Sequence, residues 1–166
     1  MTKSLIATGT LFLSGLIAGT FFYGTLCVLP AFFDVPYHVH ITFRTTLMNY
    51  NRYTVMALVI MALVGNLIYL WQIRKNKTAK IWCVISLILI VGILLITRLG
   101  SVPINMEMKT WNTTIPPSDY QSKIQTWNLY NNVRTIAALL SFFCLLVIPK
   151  CDNKSKSVDG RARYRS

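Results

Sequence analysis

Long apolar segments alternate with short polar ones along the chain. Charged side chains are absent from residues 4–33, 53–73, 81–97 and 135–149. An α-helix needs about 20 mostly apolar residues to cross the roughly 30 Å core of a bilayer, and the first three segments reach or approach that length. The fourth reaches it only by including upstream polar residues, among them Arg134. The pattern therefore predicts four membrane-spanning helices.

Prolines and charged residues between the apolar segments set the predicted helix boundaries. Pro30 and Pro36 end the first helix or turn it along the interface. The short loop RKNKTAK makes the second and third helices antiparallel neighbours. We expect an all-α integral membrane four-helix bundle over residues 1–149, and no internal repeat is evident. The predicted helices cover about 4–29, 50–73, 81–99 and 119–149, followed by a basic tail at 150–166.

The basic residues are concentrated on one side of this topology. The net charge is +12, from 17 Lys and Arg against 5 Asp and Glu. The basic residues on that one side are Lys3, Arg74, Lys75, Lys77, Lys80, Lys150, Lys154, Lys156, Arg161, Arg163 and Arg165. The positive-inside rule then predicts that both termini are cytoplasmic and that residues 34–52 and 98–130 face outward. Because topology explains the charge, we expect contact with the lipid bilayer of a bacterial cytoplasmic membrane and no nucleic-acid partner.

Small residues on the first helix predict close helix packing. Gly15 and Gly19 in the stretch GLIAG have the small-x-x-x-small spacing that lets two helix backbones approach each other. The face they form could pack within the bundle, or it could join two copies of the chain. A homo-oligomer through this Gly15/Gly19 face is therefore one candidate partnership.

The fourth helix begins with a polar face. Trp127, Asn131 and Arg134 follow helical 4, 3 spacing and share one side. An unpaired arginine inside a bilayer costs at least about 2.5 kcal/mol on insertion scales, so Arg134 should face the bundle interior or a wet cavity, or extend its side chain towards the interface. Asn51 and Asn105 enter the same predicted layer. Two interpretations stay open: an outward-facing pocket for a lipophilic small molecule, and an interfacial belt that only anchors helix ends.

Evidence for a metal or redox site is weak in the sequence. His38 and His40 could share a face only in an extended segment, and no third ligand is obvious nearby. The four cysteines contain no C-x-x-C pair, which argues against a thiol oxidoreductase. We expect no metal and no cofactor, and whether the histidines bind a metal or haem stays open.

Four stretches of the sequence resemble those of one known family of membrane proteins. The stretches GLIAGTFFYGTLCVLPAF, MNYNR, TRLGSVPINMEMKTW and WNLYNNVRT occur in the order and spacing of the four-helix family that includes the fungal anthrone oxygenases and many uncharacterised bacterial proteins. The resemblance covers roughly residues 10–145. Its motif positions fall on Pro30, Asn51, Pro103, Asn105, Trp127, Asn131 and Arg134. Ser101 stands where the family often has Asn, and Asn132 where it often has His, which removes a candidate proton acceptor.

The resemblance implies an activity and roles for particular residues. Anthrone oxygenases convert an anthrone to an anthraquinone with dioxygen and without an evident metal or flavin. By that analogy Arg134, Asn131 and Asn105 are the candidate catalytic residues, which would stabilise an enolate oxygen. Asn51, Trp127 and Tyr130 are the candidate substrate-binding residues, with the aromatic rings flanking the substrate. The alternative is a non-enzymatic small membrane subunit or ligand-binding protein.

Overall fold

The computed structural model describes the backbone of residues 2–163 and the side chains of residues 5–148. Four long helices form the bundle, and two of them continue through a π-helical turn into a short helix. The elements are α1 (Thr2–Tyr23), π1 (Gly24–Val28), α2 (Leu29–Phe33), α3 (Tyr37–Gln72), α4 (Lys77–Ile96), π2 (Thr97–Ser101), α5 (Val102–Met108) and α6 (Tyr120–Arg163). The predicted all-helical class is confirmed.

Four helical segments are long and apolar enough to span a membrane. They cover Leu5–Phe33, Tyr37–Gln72, Lys77–Met108 and Tyr120–Ile148. Large apolar side chains such as Phe12, Ile60 and Phe143 are exposed on the outer surface, which suits contact with lipid rather than water. The chain is therefore an integral membrane protein.

Several helix boundaries differ from the predicted ones: the first spanning segment continues to Phe33 and the third to Met108, and two further differences are larger. α3 begins at Tyr37, well before the predicted start at residue 50, because Pro36 precedes a sequence with no helix breaker. α6 continues to Arg163, so helical backbone extends into the predicted tail at 150–166. The tail's side chains lie outside the described residues, and its separate character stays a prediction.

All four long helices contribute to the central core. Ile17, Ala18 and Phe21 of α1 pack with residues of the other three helices, namely Val59 and Ala62 of α3, Ile90 and Ile93 of α4, and Ala138 of α6. Buried polar groups add a second tie, since Ser86 Oγ lies 3.1 Å from Asn66 Oδ1 and 2.8 Å from Ser141 Oγ. Hydrogen bonds of this kind between helices hold membrane bundles together without help from the hydrophobic effect.

The Gly15/Gly19 face is divided between the bundle and its surface. A Cβ atom at Gly15 would lie 3.2 Å from the Phe142 ring of α6, so the missing side chain lets α1 approach α6 closely. A Cβ atom at Gly19 would meet nothing within 4 Å. Only Gly15 therefore has a packing role inside the bundle.

Each π turn is explained by a proline that follows it. Pro30 and Pro103 lie in the first turn of α2 and α5, and a proline within a continuous helix removes one N–H and crowds the carbonyl four residues earlier. The backbone widens in response: the N–H of Leu29 bonds to Gly24 O, and that of Val102 bonds to Thr97 O, each five residues back. Such widened turns are frequent at functional sites.

The two halves of the chain repeat the same architecture. Each has a spanning helix, a five-residue π turn, a short helix with an early proline, and a longer spanning helix. This repeated architecture is not evident in the sequence, because the two halves share the order of their elements rather than their residues. Residues 34–36, α5 and residues 109–119 lie at the same end of the bundle, which we call the α5 end.

Candidate functional site

Arg134 is buried near the middle of the bundle and held by two helices. Its exposed fraction is 8%. Its Nη2 donates to Asn131 Oδ1 at 3.0 Å, and its Nη1 donates to Thr97 Oγ1 of π2 at 3.2 Å. Arginine only donates hydrogen bonds, so the oxygen of the Asn131 amide must face the guanidinium. These two contacts orient the arginine side chain.

A closed set of hydrogen bonds orients Asn131 in turn. Asn131 Nδ2 donates to Thr25 Oγ1 of π1 at 2.8 Å, and Thr25 Oγ1 lies 2.7 Å from Thr135 Oγ1. Thr135 Oγ1 also donates to the Asn131 carbonyl at 2.9 Å, so Thr25 is the donor to Thr135. The two π turns therefore supply Thr25 and Thr97, which support the polar face of α6 from opposite repeats.

Trp127 and Asn105 meet at the α5 end. The indole Nε1 donates to Asn105 Oδ1 at 2.7 Å, and this bond joins α6 to α5. The Trp127 ring also lies near Arg134, whose guanidinium carbon is 5.7 Å from the ring centre. Four of the six predicted site residues thus form one connected group: Asn105, Trp127, Asn131 and Arg134.

Tyr130 packs against the second π turn. A Cβ atom at Gly100 would lie 2.9 Å from the Tyr130 ring, so the ring rests directly on the backbone of π2. No described hydrogen bond joins Tyr130 to the connected group, and the ring is half-buried. Its predicted contact with a substrate ring stays a prediction.

Asn51 lies where α3 stands away from its neighbours. Residues 49–54 are all exposed, on every side of the helix. Asn51 follows Arg44 by seven residues and precedes the buried Ala62 by eleven, so by helical periodicity it points the same way as these buried residues. No neighbouring helix therefore covers this side of α3 at Asn51, about 21 Å along α3 from its start. We call this uncovered side the gap beside residues 49–54. No described hydrogen bond joins Asn51 to the connected group.

Arg44 is a second buried arginine that sequence reasoning missed. Its exposed fraction is 2%, and its guanidinium carbon lies 4.1 Å from the centre of the Trp127 ring, a cation–π contact. The predicted start of the second helix at residue 50 left Arg44 outside the membrane, which concealed it. One feature of the sequence could have indicated it: Arg44 follows His40 by four residues, which places both side chains on one face of a helix.

His40 and Tyr120 hold Arg44 in place. His40 is 2% exposed and stacks on Phe32 at 5.1 Å. Its Nε2 lies 3.2 Å from Arg44 Nη1, and its Nδ1 lies 2.9 Å from Tyr120 Oη. Because the guanidinium can only donate, Nε2 accepts, and a neutral imidazole then carries its proton on Nδ1 and donates to Tyr120. His40 lies on the inward side of α3, which begins three residues earlier at Tyr37.

The two arginines create a concentration of buried positive charge. The guanidinium carbons of Arg44 and Arg134 lie 4.1 and 5.7 Å from the same ring centre, so they are at most about 10 Å apart. Two like charges at that distance repel by roughly 2 kcal/mol at an effective dielectric constant of 20. Among the described side chains, the ion pairs join Lys123 to Glu107 and to Asp119, and neither arginine takes part. The site is therefore positively charged, and no ion pair with a described carboxylate balances it.

Several donors of these arginines are also unused. Nε and Nη2 of Arg44 and Nε of Arg134 are buried without a hydrogen-bond partner among the described residues. A buried donor without a partner costs about 1–3 kcal/mol, and more when it is charged. The arrangement is therefore unfavourable unless another group enters it.

A separate ion-pair cluster closes the rim of the α5 end. Lys123 contacts Glu107 and lies 2.6 Å from Asp119 Oδ2. The hydrogen bond from Lys123 lowers the pKa of the exposed Asp119 carboxyl. These contacts connect α5, residues 109–119 and α6, and the lysine balances charge on both acids.

Among the side chains that the structure describes, no group of three His, Cys, Asp or Glu residues is placed to hold a metal ion. His38 is exposed while His40 points into the protein. Cys27 is exposed, and Cys83 and Cys144 are buried as free thiols.

Comparison with known proteins identifies a family. The model of the anthrone oxygenase family matches residues 45–144, a range that begins just after Arg44. Five of the predicted site residues lie within it: Asn51, Asn105, Trp127, Asn131 and Arg134. No curated protein and no solved structure is similar enough to the chain to establish a relationship. The match extends over more than half of the chain and includes the connected polar group of the bundle, and so the chain belongs to the anthrone oxygenase family.

Proposed function

We propose that the protein is a membrane-embedded oxygenase that needs no cofactor and acts on a lipophilic aromatic compound of the anthrone or quinol type. The observation that carries the proposal is the buried Arg134 guanidinium, which Asn131 and Thr97 orient and no described carboxylate neutralises. Preoriented donors in a water-poor site stabilise a developing oxyanion more strongly than water does. Family membership supports the same chemistry.

The proposed reaction begins with loss of a proton from the reacting carbon of the substrate. The resulting enolate oxygen binds Arg134, and the free amide N–H of Asn105 adds a second donor, since its Oδ1 already accepts from Trp127. The electron-rich carbon then reduces dioxygen and forms a C–O bond. The resulting peroxide anion takes up the proton, and the hydroperoxide then loses its outer OH and the remaining C–H hydrogen as water to leave a carbonyl. One CH₂ and one O₂ thus give one C=O and one H₂O, without an added reductant.

Aromatic side chains define the proposed substrate contacts. The Trp127 ring lies between the arginines and α5, and Tyr130 lies one turn further along α6. Flat ring systems stack well on such side chains. Asn51, at the gap beside residues 49–54, would contact the substrate as it enters. Asn132 is exposed and offers no proton acceptor, which favours substrates that ionise readily.

Oxygen consumption by the purified protein tests the proposal. With a panel of anthrones and quinols, Arg134→Ala should lower turnover by about 10²–10³-fold, the usual effect of removing an oxyanion donor. Asn131→Ala should lower it less, because Asn131 acts by orienting Arg134. Arg74→Ala is the matched control, since Arg74 is an exposed arginine of the α3–α4 connection at the other end of the bundle, and it should retain full turnover.

A second candidate is a non-enzymatic membrane subunit that associates through α1. It is favoured by the open surface at Gly19, where nothing lies within 4 Å of an added Cβ atom, and a second copy of the chain could pack there. Absence of turnover with every compound, while the wild type and both variants fold normally, would favour this alternative over the oxygenase.

We also propose a location and an orientation: a bacterial cytoplasmic membrane, with both termini in the cytoplasm and the α5 end outside. Support comes from the basic residues of the α3–α4 connection, which include Arg74, Lys75 and Lys77, because positive charge accumulates on the cytoplasmic side.

A further inference from the structure

Two arginines from different repeats converge on one indole ring. Arg44 comes from α3 and Arg134 from α6, and their guanidinium carbons lie 4.1 and 5.7 Å from the centre of the Trp127 ring. Neither side chain can reach solvent easily, because their exposed fractions are 2% and 8%. This convergence differs from an interfacial belt, in which arginine side chains extend outward to lipid headgroups.

The free donors of both arginines are buried in the same region. Arg44 uses Nη1 for His40 and leaves Nε and Nη2 unpaired, and Arg134 leaves Nε unpaired. The protein provides no acceptor for them among its described residues. A carboxylate or phenolate-type oxygen accepts such charge-assisted hydrogen bonds well, and a planar guanidinium favours it in particular.

The surroundings of these donors are aromatic. Phe21 lies 5.2 Å from the Arg134 guanidinium carbon, and Phe32 lies 5.8 Å from that of Arg44. A ligand that fits must therefore combine an oxyanion with a flat apolar body. The gap beside residues 49–54 of α3 offers a route from the lipid, on the helix side that Arg44 shares.

We propose that Arg44 and Arg134 together form a buried anion-binding site around Trp127, and that its ligand is an aromatic compound already ionised at an oxygen atom. This inference rests on the proposed function for its connection to catalysis, because it assigns the substrate as an oxyanion on entry. Arg44 is then a binding residue of the site, while His40 and Tyr120 are positioning residues that orient it.

Direct binding tests the inference without any need for turnover. The full chain in phosphatidylcholine nanodiscs is titrated with anthracene-2-carboxylate, and energy transfer from tryptophan to the anthracene reports binding. Anthracene-2-carboxamide is the neutral comparison of the same shape. The carboxylate should bind about tenfold or more tightly than the amide. Equal affinity for the two compounds would overturn the proposal.

Variants assign the effect to the two arginines. Arg44→Gln and Arg134→Gln should each weaken carboxylate binding about tenfold or more and leave amide binding nearly unchanged. Arg74→Gln, at an exposed arginine of the α3–α4 connection at the other end of the bundle, should bind like the wild type. If Arg44→Gln does not fold, Arg44→Lys decides: it keeps the charge and loses donors, so it should retain a reduced preference for the carboxylate. A wild-type preference in both Arg44 variants would overturn the role of Arg44.

A lipid headgroup is the other source of an oxyanion, and nanodiscs with phosphatidylglycerol test it. Unchanged binding of the aromatic carboxylate in that lipid supports the proposal. Complete competition by the lipid would overturn it and assign the site to a headgroup. Binding without oxygen consumption would leave this inference standing and contradict the oxygenase, whereas turnover that Arg44→Gln does not change would contradict the inference alone.

Discussion

Arg44 and Arg134 differ in how their guanidinium groups are held. Arg134 has two hydrogen bonds, to Asn131 and Thr97, and is therefore oriented before any ligand arrives. Arg44 has one, to His40, and leaves two nitrogen atoms unpaired. Preorientation suits a group that stabilises charge during a reaction, whereas the free donors of Arg44 suit recognition of an anion.

At the same scale, Gly100 holds Tyr130 against the second π turn. An added Cβ atom would lie 2.9 Å from the Tyr130 ring, so Gly100→Ala should destabilise the protein by about 1–3 kcal/mol through overpacking. Gly92→Ala is the matched control in α4, because a Cβ atom there meets nothing within 4 Å, and it should be neutral or stabilising by up to about 1 kcal/mol. Thermal unfolding in detergent, followed by tryptophan fluorescence, measures both. Equal melting temperatures for the two variants would contradict the packing of Tyr130 on Gly100.

At the scale of elements, the π turns place threonines where α-helical turns would not. π1 and π2 each add a residue to a turn beside a proline, and Thr25 and Thr97 then reach Asn131 and Arg134. The two turns occupy equivalent positions in the repeated halves. Their shared role is to supply hydrogen-bond partners from outside α6 to Asn131 and Arg134 on its polar face.

The exposed part of α3 leads to a prediction about ligand entry. Asn51 points into the gap beside residues 49–54, and Asn51→Trp should obstruct it and slow the association of anthracene-2-carboxylate in stopped-flow measurements. The equilibrium affinity should change little, because the arginines are untouched. Tyr53→Trp is the control, because it introduces the same side chain at a position that is exposed on the opposite side of α3. Equal association rates in the two variants would exclude this route.

At the scale of the whole molecule, several polar groups are buried beside the apolar core, and large apolar side chains cover much of the outer surface. The buried polar network of Asn66, Ser86 and Ser141 and the arginine site are both enclosed by helices whose outer faces are apolar. A lipid environment stabilises this arrangement, because exposed apolar side chains cost nothing there and the Asn66, Ser86 and Ser141 side chains find partners within the protein.

Orientation in the membrane is tested with two exposed positions at opposite ends of the bundle. In a variant whose native cysteines are replaced by alanine, Thr113→Cys should react with a membrane-impermeant maleimide on intact cells. Lys75→Cys should react only after the cells are lysed, because the basic α3–α4 connection is predicted to be cytoplasmic. The opposite labelling pattern would reverse the proposed topology.

The sequence alone was enough for the membrane class, the all-helical fold and the polar face of α6. Charge-free segments and helical spacing are local properties, and so they can be read along the chain. The family also followed from motifs that lie within single helices or next to their ends. The start of α3 was placed at about residue 50 instead of Tyr37, because the charge-free segment begins only after Arg52.

Only the tertiary structure showed that Arg44 contacts Trp127 and that Thr25 and Thr97 bind the polar face of α6. It also showed that Asn51 lies on an uncovered side of α3. These contacts depend on the distances between helices, the widened π turns and the place where α3 leaves its neighbours. Contacts between residues far apart in sequence leave no periodic signal, since each helix pattern records which side is covered but not which residue covers it. The sequence therefore determined that a charged group enters the membrane, and the packing of the helices decided that two such groups meet there.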